Sequence, residues 1–225
     1  MTTKTPQSMT RKNLTKNTVT ISGSALLLLL PTLVFSHPGH GLIATDASFL
    51  GSVLSGILHP LTGFDHLMLA LGMGLLFSQM RSFKKGFIAL SIGLVTGFVL
   101  GLSMSLNSLF IEYGILLSIV LLTMALMSRY FNIALNQNSK ESVKTMYGFL
   151  VIGFGALAMF HGAAHAIEVP ANSSTAGFFT GMIIAMLSLY TMGKAIATYL
   201  NTHLQNSLVI QRMMAIAGLC GVLLG

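Results

Sequence analysis

A short motif of histidine and carboxylate side chains, HPLTGFDH, occupies residues 59–66. Three of its residues, His59, Asp65 and His66, have side chains that can bind a metal ion. Imidazole nitrogens suit nickel, cobalt, copper and zinc, and a carboxylate offsets part of the charge of a bound divalent ion. The residue types of this motif therefore indicate ligands for a transition-metal cation.

A second motif, FHGAAHAIE, occupies residues 160–168 and supplies His161, His165 and Glu168. Their spacing is i, i+4 and i+7, and on a helix these positions share one face. The competing interpretation is that the polar side chains of both motifs only hydrogen-bond neighbouring helices to one another. That interpretation suits a single isolated histidine, whereas two motifs with four histidines and two acids favour a shared metal site.

The composition indicates that these motifs lie in a membrane protein. Of 225 residues, 53% are hydrophobic and only 8% are charged, against about 25% charged residues in an average soluble domain. Several apolar runs reach the roughly 18 residues that span a bilayer. The single cysteine, Cys220, excludes an intramolecular disulfide framework and a multi-thiolate zinc site. The net charge of +7 comes from scattered basic residues, so we expect no nucleic-acid partner.

Residues 1–36 are predicted to be a secretory signal peptide. Four basic residues precede an apolar run at 21–35, and Val34 and Ser36 offer small residues at positions −3 and −1 of a cleavage site. Cleavage there makes His37 the new N-terminus. The alternative is an uncleaved anchor helix, although the apolar run is short for a span.

Residues 37–225 are predicted to form one all-α transmembrane permease domain, a six-transmembrane-helix bundle. We expect the first helix to break near Pro60, because proline lacks the N–H group that a helix interior needs and is welcome in a first turn. Residues 47–58 are then either a re-entrant piece or part of this first span. The five further spans are residues 86–106, 109–128, 146–168, 175–198 and 207–225.

The distribution of lysine and arginine predicts the orientation of the spans. If the signal inserts with its basic end in the cytoplasm, all 12 basic residues lie on the cytoplasmic side, as the positive-inside rule requires. The mature N-terminus then faces outward, and both motifs lie near the outer surface. His59 and Glu168 are expected at the mouth, and Asp65 is expected within the span, where an ionisable group usually marks an ion path.

The segments HPLTGFDH and FHGAAHAIE resemble the two signature motifs of the HupE/UreJ family of nickel/cobalt permeases. The signal-like start followed by His37-Pro38-Gly39-His40 is similar to that family as well. The resemblance implies secondary uptake of Ni²⁺ or Co²⁺, as substrate and without a prosthetic group, across the bacterial cytoplasmic (inner) membrane. Ala166 departs from the family pattern, in which glycine is frequent at this position.

By this resemblance, the positions expected to handle the metal ion are His59, Asp65, His66, His161, His165 and Glu168. His37 and His40 form either a capture site at a free N-terminus or only a polar terminus. His203, in the expected loop 199–206, is interpreted as an ordinary loop residue. The expected partners are the divalent ion and the lipid bilayer, with a functional link to a hydrogenase, urease or cobalamin pathway. The sequence does not decide whether the ion is nickel or cobalt, what drives transport, or whether the protein forms a homo-oligomer.

An intramembrane metal-dependent hydrolase is the alternative from a different class, because it also needs histidines and an acid on facing helices. Against it, Gly162 follows His161, so the HExxH arrangement is absent, and six candidate ligands exceed the usual three. A third alternative is a non-transporting accessory subunit for metalloenzyme assembly. No P-loop sequence GxxxxGK[ST] is present, so the chain does not hydrolyse ATP through such a motif.

We predict that N-terminal sequencing of the mature protein begins at His37, because Ser36 ends the predicted cleavage site. A Ser36→Leu variant is the matched control: a bulky residue at position −1 should block processing and increase the apparent mass. A purified parent protein that begins at Met1 would contradict the signal peptide and leave an additional anchor helix.

Overall fold

The computed structural model describes residues 48–104, 106–128 and 140–224, with the side chains of the last range described from residue 145. The predicted signal peptide, its cleavage site, His37 and His40 lie outside the described residues. The described residues form seven α-helices and no β-strand: α1 (Phe49–Thr62), α2 (Phe64–Gln79), α3 (Phe83–Ser103), α4 (Ser108–Met127), α5 (Lys140–Ile167), α6 (Thr175–His203) and α7 (Ser207–Leu224).

The predicted all-helical membrane bundle is confirmed. Five helices, α3 to α7, contain stretches long and apolar enough to cross a membrane, and α1 with α2 forms a sixth candidate span that is bent by 80°. Large apolar side chains such as Ile92, Phe149 and Ile152 are more than half exposed. Such a surface suits lipid tails, which are as apolar as the side chains they contact.

The break in the first span lies at Gly63, three residues beyond the expected break near Pro60. Pro60 is buried inside α1, so the helix continues past the proline despite the missing N–H group. Gly63 has φ −88° and ψ 119°, an extended backbone that ends α1 and begins α2. The N–H group of Gly63 still donates to the carbonyl oxygen of His59 at 3.3 Å, which closes the last turn of α1.

Glycines join α3 and α5 along their length. At Gly93 and Gly97 of α3, an added Cβ would collide with the carbonyl oxygens of Gly155 and Met159 in α5. Residue numbers increase together along this contact, so the two helices run in the same direction. Small residues at such spacing let two membrane helices approach to backbone contact. The helix with the second motif is therefore held tightly to α3.

The same kind of contact joins α6 to the broken span. Gly181 lies against the carbonyl oxygen of Val53 in α1, and Gly193 lies against that of Leu71 in α2. Gly177 likewise lies against the carbonyl oxygen of Phe49, so α1 and α6 run in the same direction. The helices with the first motif are therefore held to α6, and the bundle contains two glycine-mediated units. We call them the α3–α5 unit and the α1–α2–α6 unit.

The remaining helices are α4, which packs antiparallel on α5, and α7, which packs antiparallel on α2. Gly114 of α4 meets the ring of Phe160 in α5, and Gly221 of α7 meets the ring of Phe64 in α2. The two halves of the chain thus use matching partners. The contact of the first span, α1 with α2, on α6 corresponds to the contact of α5 on α3. The contact of α4 on α5 corresponds to the contact of α7 on α2. Matched pairing of this kind occurs in proteins built from inverted repeats, although the contact of α2 with α4 has no counterpart of similar extent between α5 and α7.

Polar side chains connect three helices at the end of the bundle away from the motifs. Gln211 of α7 is buried, accepts a hydrogen bond from Gln79 at the end of α2 and donates one to Asn201 of α6 at 3.2 Å. The lysines and arginines of the described helices lie toward this end as well, at the starts of α3 and α5, late in α6 and early in α7. The motifs and the basic residues therefore occupy opposite ends of the bundle.

His203 lies in the last turn of α6, so its expected position in a loop is wrong. Its ring packs against Tyr199, with 4.6 Å between the ring centroids. The polar residues after 198 suggested a loop, but they lie on an exposed helix end. There the hydroxyls of Thr198 and Thr202 donate to carbonyl oxygens one turn earlier, so the polar side chains are satisfied within the helix.

We predict that Gly97→Ala lowers the stability of the detergent-solubilised protein by about 1–3 kcal/mol, because its Cβ collides with the α5 backbone. Gly153→Ala is the matched control, since a Cβ there meets nothing within 4 Å. Thermal unfolding followed by size-exclusion chromatography measures both variants. Equal unfolding temperatures for the two variants would contradict the α3–α5 contact.

Cysteine labelling tests the predicted orientation. In a Cys220→Ser background, Ala171→Cys in the α5–α6 connection should react with an impermeant maleimide on intact cells, because that connection lies at the end away from the basic residues. Gln205→Cys, in the α6–α7 connection, should react only after permeabilisation. The reverse labelling pattern would place the motifs on the cytoplasmic side.

Candidate metal-ion site

The break at Gly63 brings His59 back against His66. On a straight helix these residues would lie about 10 Å apart along the axis, whereas their ring centroids are 5.4 Å apart in the structure. His59 lies in the last turn of α1, and its Nε2 is 2.9 Å from Oε2 of Glu168. His59 is therefore both partly exposed and in contact with a deeper histidine.

Asp65 and His66 lie in the first turn of α2. A carboxylate is favoured at this end of a helix by the helix dipole. Oδ2 of Asp65 is 3.2 Å from Nδ1 of His66, without the geometry of a hydrogen bond. Gly63 leaves room for the His66 ring, because an added Cβ would lie 2.6 Å from its Cδ2 atom.

The last two turns of α5 place His161 and His165 on one buried face, and Glu168 follows the end of the helix. Both histidines are completely buried. The ring of His66 lies close to both histidines. Its centroid is 5.7 Å from that of His161 and 4.4 Å from that of His165. Nδ1 of His165 is 3.6 Å from Oε2 of Glu168. The one-face spacing in the sequence therefore directs both histidines toward α2.

These contacts bring all six sequence-predicted ligands of the two motifs into one group, which we call the ligand cluster: His59, Asp65, His66, His161, His165 and Glu168. The cluster lies between the α1–α2–α6 unit and the α3–α5 unit. His203 lies at the other end of α6 and is not part of the cluster. Residues from two motifs about 100 positions apart thus share one site.

Several nitrogen atoms of the cluster are buried without a hydrogen-bond partner in the described part of the chain. They are Nδ1 of His66 and both ring nitrogens of His161 and of His165. A buried polar group without a partner costs about 1–3 kcal/mol. Neutral imidazole nitrogens are also the ligands that nickel, cobalt and zinc accept. The donor set therefore fits a divalent transition-metal ion.

The ligand atoms fall into two overlapping groups. One ligand atom from each of His59, His66, His165 and Glu168 lies within 4.8 Å of all the others, and the same holds for Asp65, His66 and His161. His66 belongs to both groups. Each group combines imidazole with one carboxylate, which is a suitable composition for one divalent cation.

The exposed fractions decrease from Glu168 inward. The side chains of Glu168 and His59 are 33% and 22% exposed, and that of His165 is fully buried. Burial by itself would raise the pKa of the Glu168 carboxyl, but the imidazoles of His165 and His59 hold that pKa below its usual range. Glu168 is therefore a carboxylate at the accessible side of the cluster, suited to attract a cation.

Phe178 of α6 is a site residue that the sequence motifs did not reveal. Its ring is almost completely buried and lies against the ring of His59, with 5.5 Å between the centroids. An apolar residue in an apolar span gives no signal in the sequence. The ring of Phe178 thus contacts the ring of His59, and Oε2 of Glu168 contacts Nε2 of the same histidine.

The fold and the cluster define a class: a multi-pass helical membrane protein with a histidine- and carboxylate-rich cluster between two helix units. The HupE / UreJ protein family model matches residues 25–225, so the chain belongs to the HupE/UreJ family, a family of metal transporters. The resemblance seen in the two motifs is thereby confirmed. The chain is 27% identical over 180 residues to Protein HupE of Rhizobium leguminosarum bv. viciae, covering 79% of this chain and 83% of that protein. No solved structure matches this chain significantly.

Proposed function

We propose that this protein is a secondary transporter that takes Ni²⁺ or Co²⁺ into the cell across the bacterial cytoplasmic membrane, with the ligand cluster as its binding site. The observation that most supports this proposal is the set of buried imidazole nitrogens without partners beside two carboxylates. A cation satisfies these nitrogens and offsets the carboxylate charge at the same time. The membership in a metal-transporter family agrees with the proposal.

The position of the cluster supports movement of the ion rather than permanent storage. Its ligands come from both glycine-mediated units, so a change in the angle between the units opens or closes the site. Inverted pairing of two chain halves is frequent in secondary transporters, where one arrangement exposes the site to each side in turn. In the proposed orientation, the partly exposed Glu168 and His59 face outward and receive the ion first.

A metal-dependent hydrolase is less consistent with the cluster. A catalytic zinc ion has three protein ligands and keeps one position for water, whereas one of the two groups here offers four ligands. As a transporter, the protein would supply nickel or cobalt to metalloenzymes. The proposed functional link to a hydrogenase, urease or cobalamin pathway follows from that role, and His37 and His40 remain proposed as capture residues.

We predict that His165→Ala nearly abolishes uptake of radioactive Ni²⁺ and Co²⁺ into proteoliposomes, with a loss of at least about tenfold, because it removes a fully buried ligand. His161→Ala should have a similar effect. His203→Ala is the matched control, since this histidine contacts Tyr199 at the other end of α6, and should transport like the parent protein.

Protein amount and elution profile must be equal among the reconstituted variants. If both cluster variants transport like the parent at equal protein amounts, the proposed site is wrong. If the parent itself releases a hydrolysis product from lipid or peptide and moves no metal ion, the transport function is wrong.

A further inference from the structure

The two overlapping ligand groups differ in depth as well as in composition. The outer group, His59, His66, His165 and Glu168, contains both residues of the partly exposed side. The inner group, Asp65, His66 and His161, has one partly exposed side chain, that of Asp65 at 18%, and each group contains one fully buried histidine, His161 or His165. His161 precedes His165 by one helical turn, which places it about 6 Å further along α5 from Glu168. The ligand atoms of one ion, each about 2 Å from it, lie within about 4 Å of one another, whereas the atoms of these six side chains form two groups rather than one even at 4.8 Å.

We propose that the transported ion occupies two successive positions, the outer group first and the inner group second, with His66 as a ligand in both. This inference rests on the proposed transport function. The two ring nitrogens of an imidazole allow one histidine to face two positions. His66 lies in contact distance of members of both groups, since its ring centroid is 4.4 Å from that of His165 and 5.7 Å from that of His161.

The charge distribution favours such a transfer. Each group contains one carboxylate, Glu168 in the outer group and Asp65 in the inner group. An ion that moves between them therefore exchanges one carboxylate for another and keeps His66. It is at no point surrounded only by neutral ligands in a medium where an uncompensated charge is costly.

The number of ligands gives the transfer a direction. The outer group offers four ligand atoms with three imidazoles, and the inner group offers three with two imidazoles. Transition-metal sites with more imidazole ligands should bind more tightly, so the outer group suits capture at low concentration. The inner group binds more weakly, and a site must be weak enough to release the ion for transport to proceed.

Equilibrium binding and transport should therefore respond differently to the two groups. Co²⁺ alone is the probe, because its visible absorption bands report its ligands. Binding is measured on the purified full-length protein by titration, and uptake is measured in proteoliposomes. The inner variants are Asp65→Asn and His161→Ala, the outer variants are His59→Ala and Glu168→Gln, and His203→Ala is the control.

We expect the inner variants to bind Co²⁺ with a dissociation constant within about threefold of the parent value and with unchanged absorption bands, while uptake falls by at least about tenfold. The outer variants should raise the dissociation constant and the concentration for half-maximal uptake in parallel, by about tenfold or more, with altered bands. His66→Ala should lose both binding and uptake.

The inference is overturned if Asp65→Asn, whose shape is nearly that of the parent residue, weakens Co²⁺ binding as much as Glu168→Gln does. All ligands would then hold one ion in one position, and the transport function itself would stand. A parent protein that neither binds nor transports Co²⁺ and Ni²⁺ would instead remove the proposed function, and the two-position inference with it.

Discussion

Backbone contact between helices at glycine is the constraint on which the rest of this structure depends. Gly93 and Gly97 hold α3 against α5, and Gly181 and Gly193 hold the broken first span against α6. Apolar side chains gain little from one another in lipid, so close packing is what associates membrane helices. Because the contacts occur within each unit, the ligand cluster lies between two firmly built units rather than inside one of them.

The ligand cluster reverses the usual rule for buried polar groups. Buried imidazoles normally find a hydrogen-bond partner in the protein, but the ring nitrogens of His161 and His165 have none among the described residues. At the other end of the bundle, by contrast, the buried amide of Gln211 bonds to Gln79 and Asn201. The two ends of the same bundle thus differ: one satisfies its buried amide internally, and the other has buried ring nitrogens without a hydrogen-bond partner among the described residues.

The bend at Gly63 decides which ligands can act together. A continuous first helix would separate His59 from His66 by about 10 Å along its axis. The extended backbone of Gly63 turns the chain by 80° and puts both imidazoles next to α5. Glu168, beyond the end of α5, then reaches His59 at 2.9 Å and links the two helix units directly. The outer ligand group exists only because of this turn.

The membrane spans and the shared helix face of the second motif could be predicted from the sequence by itself. Apolar runs predicted the spans, since length and hydropathy are local properties, and the spacing of His161 and His165 predicted one helix face because helical periodicity is local too. Only the tertiary structure decided that the expected break near Pro60 falls at Gly63, that Phe178 packs on His59, and that the six candidate ligands divide into two groups sharing His66. These features depend on distances between helices, which are set by side-chain packing across the bundle and have no signature in the order of residues along one helix.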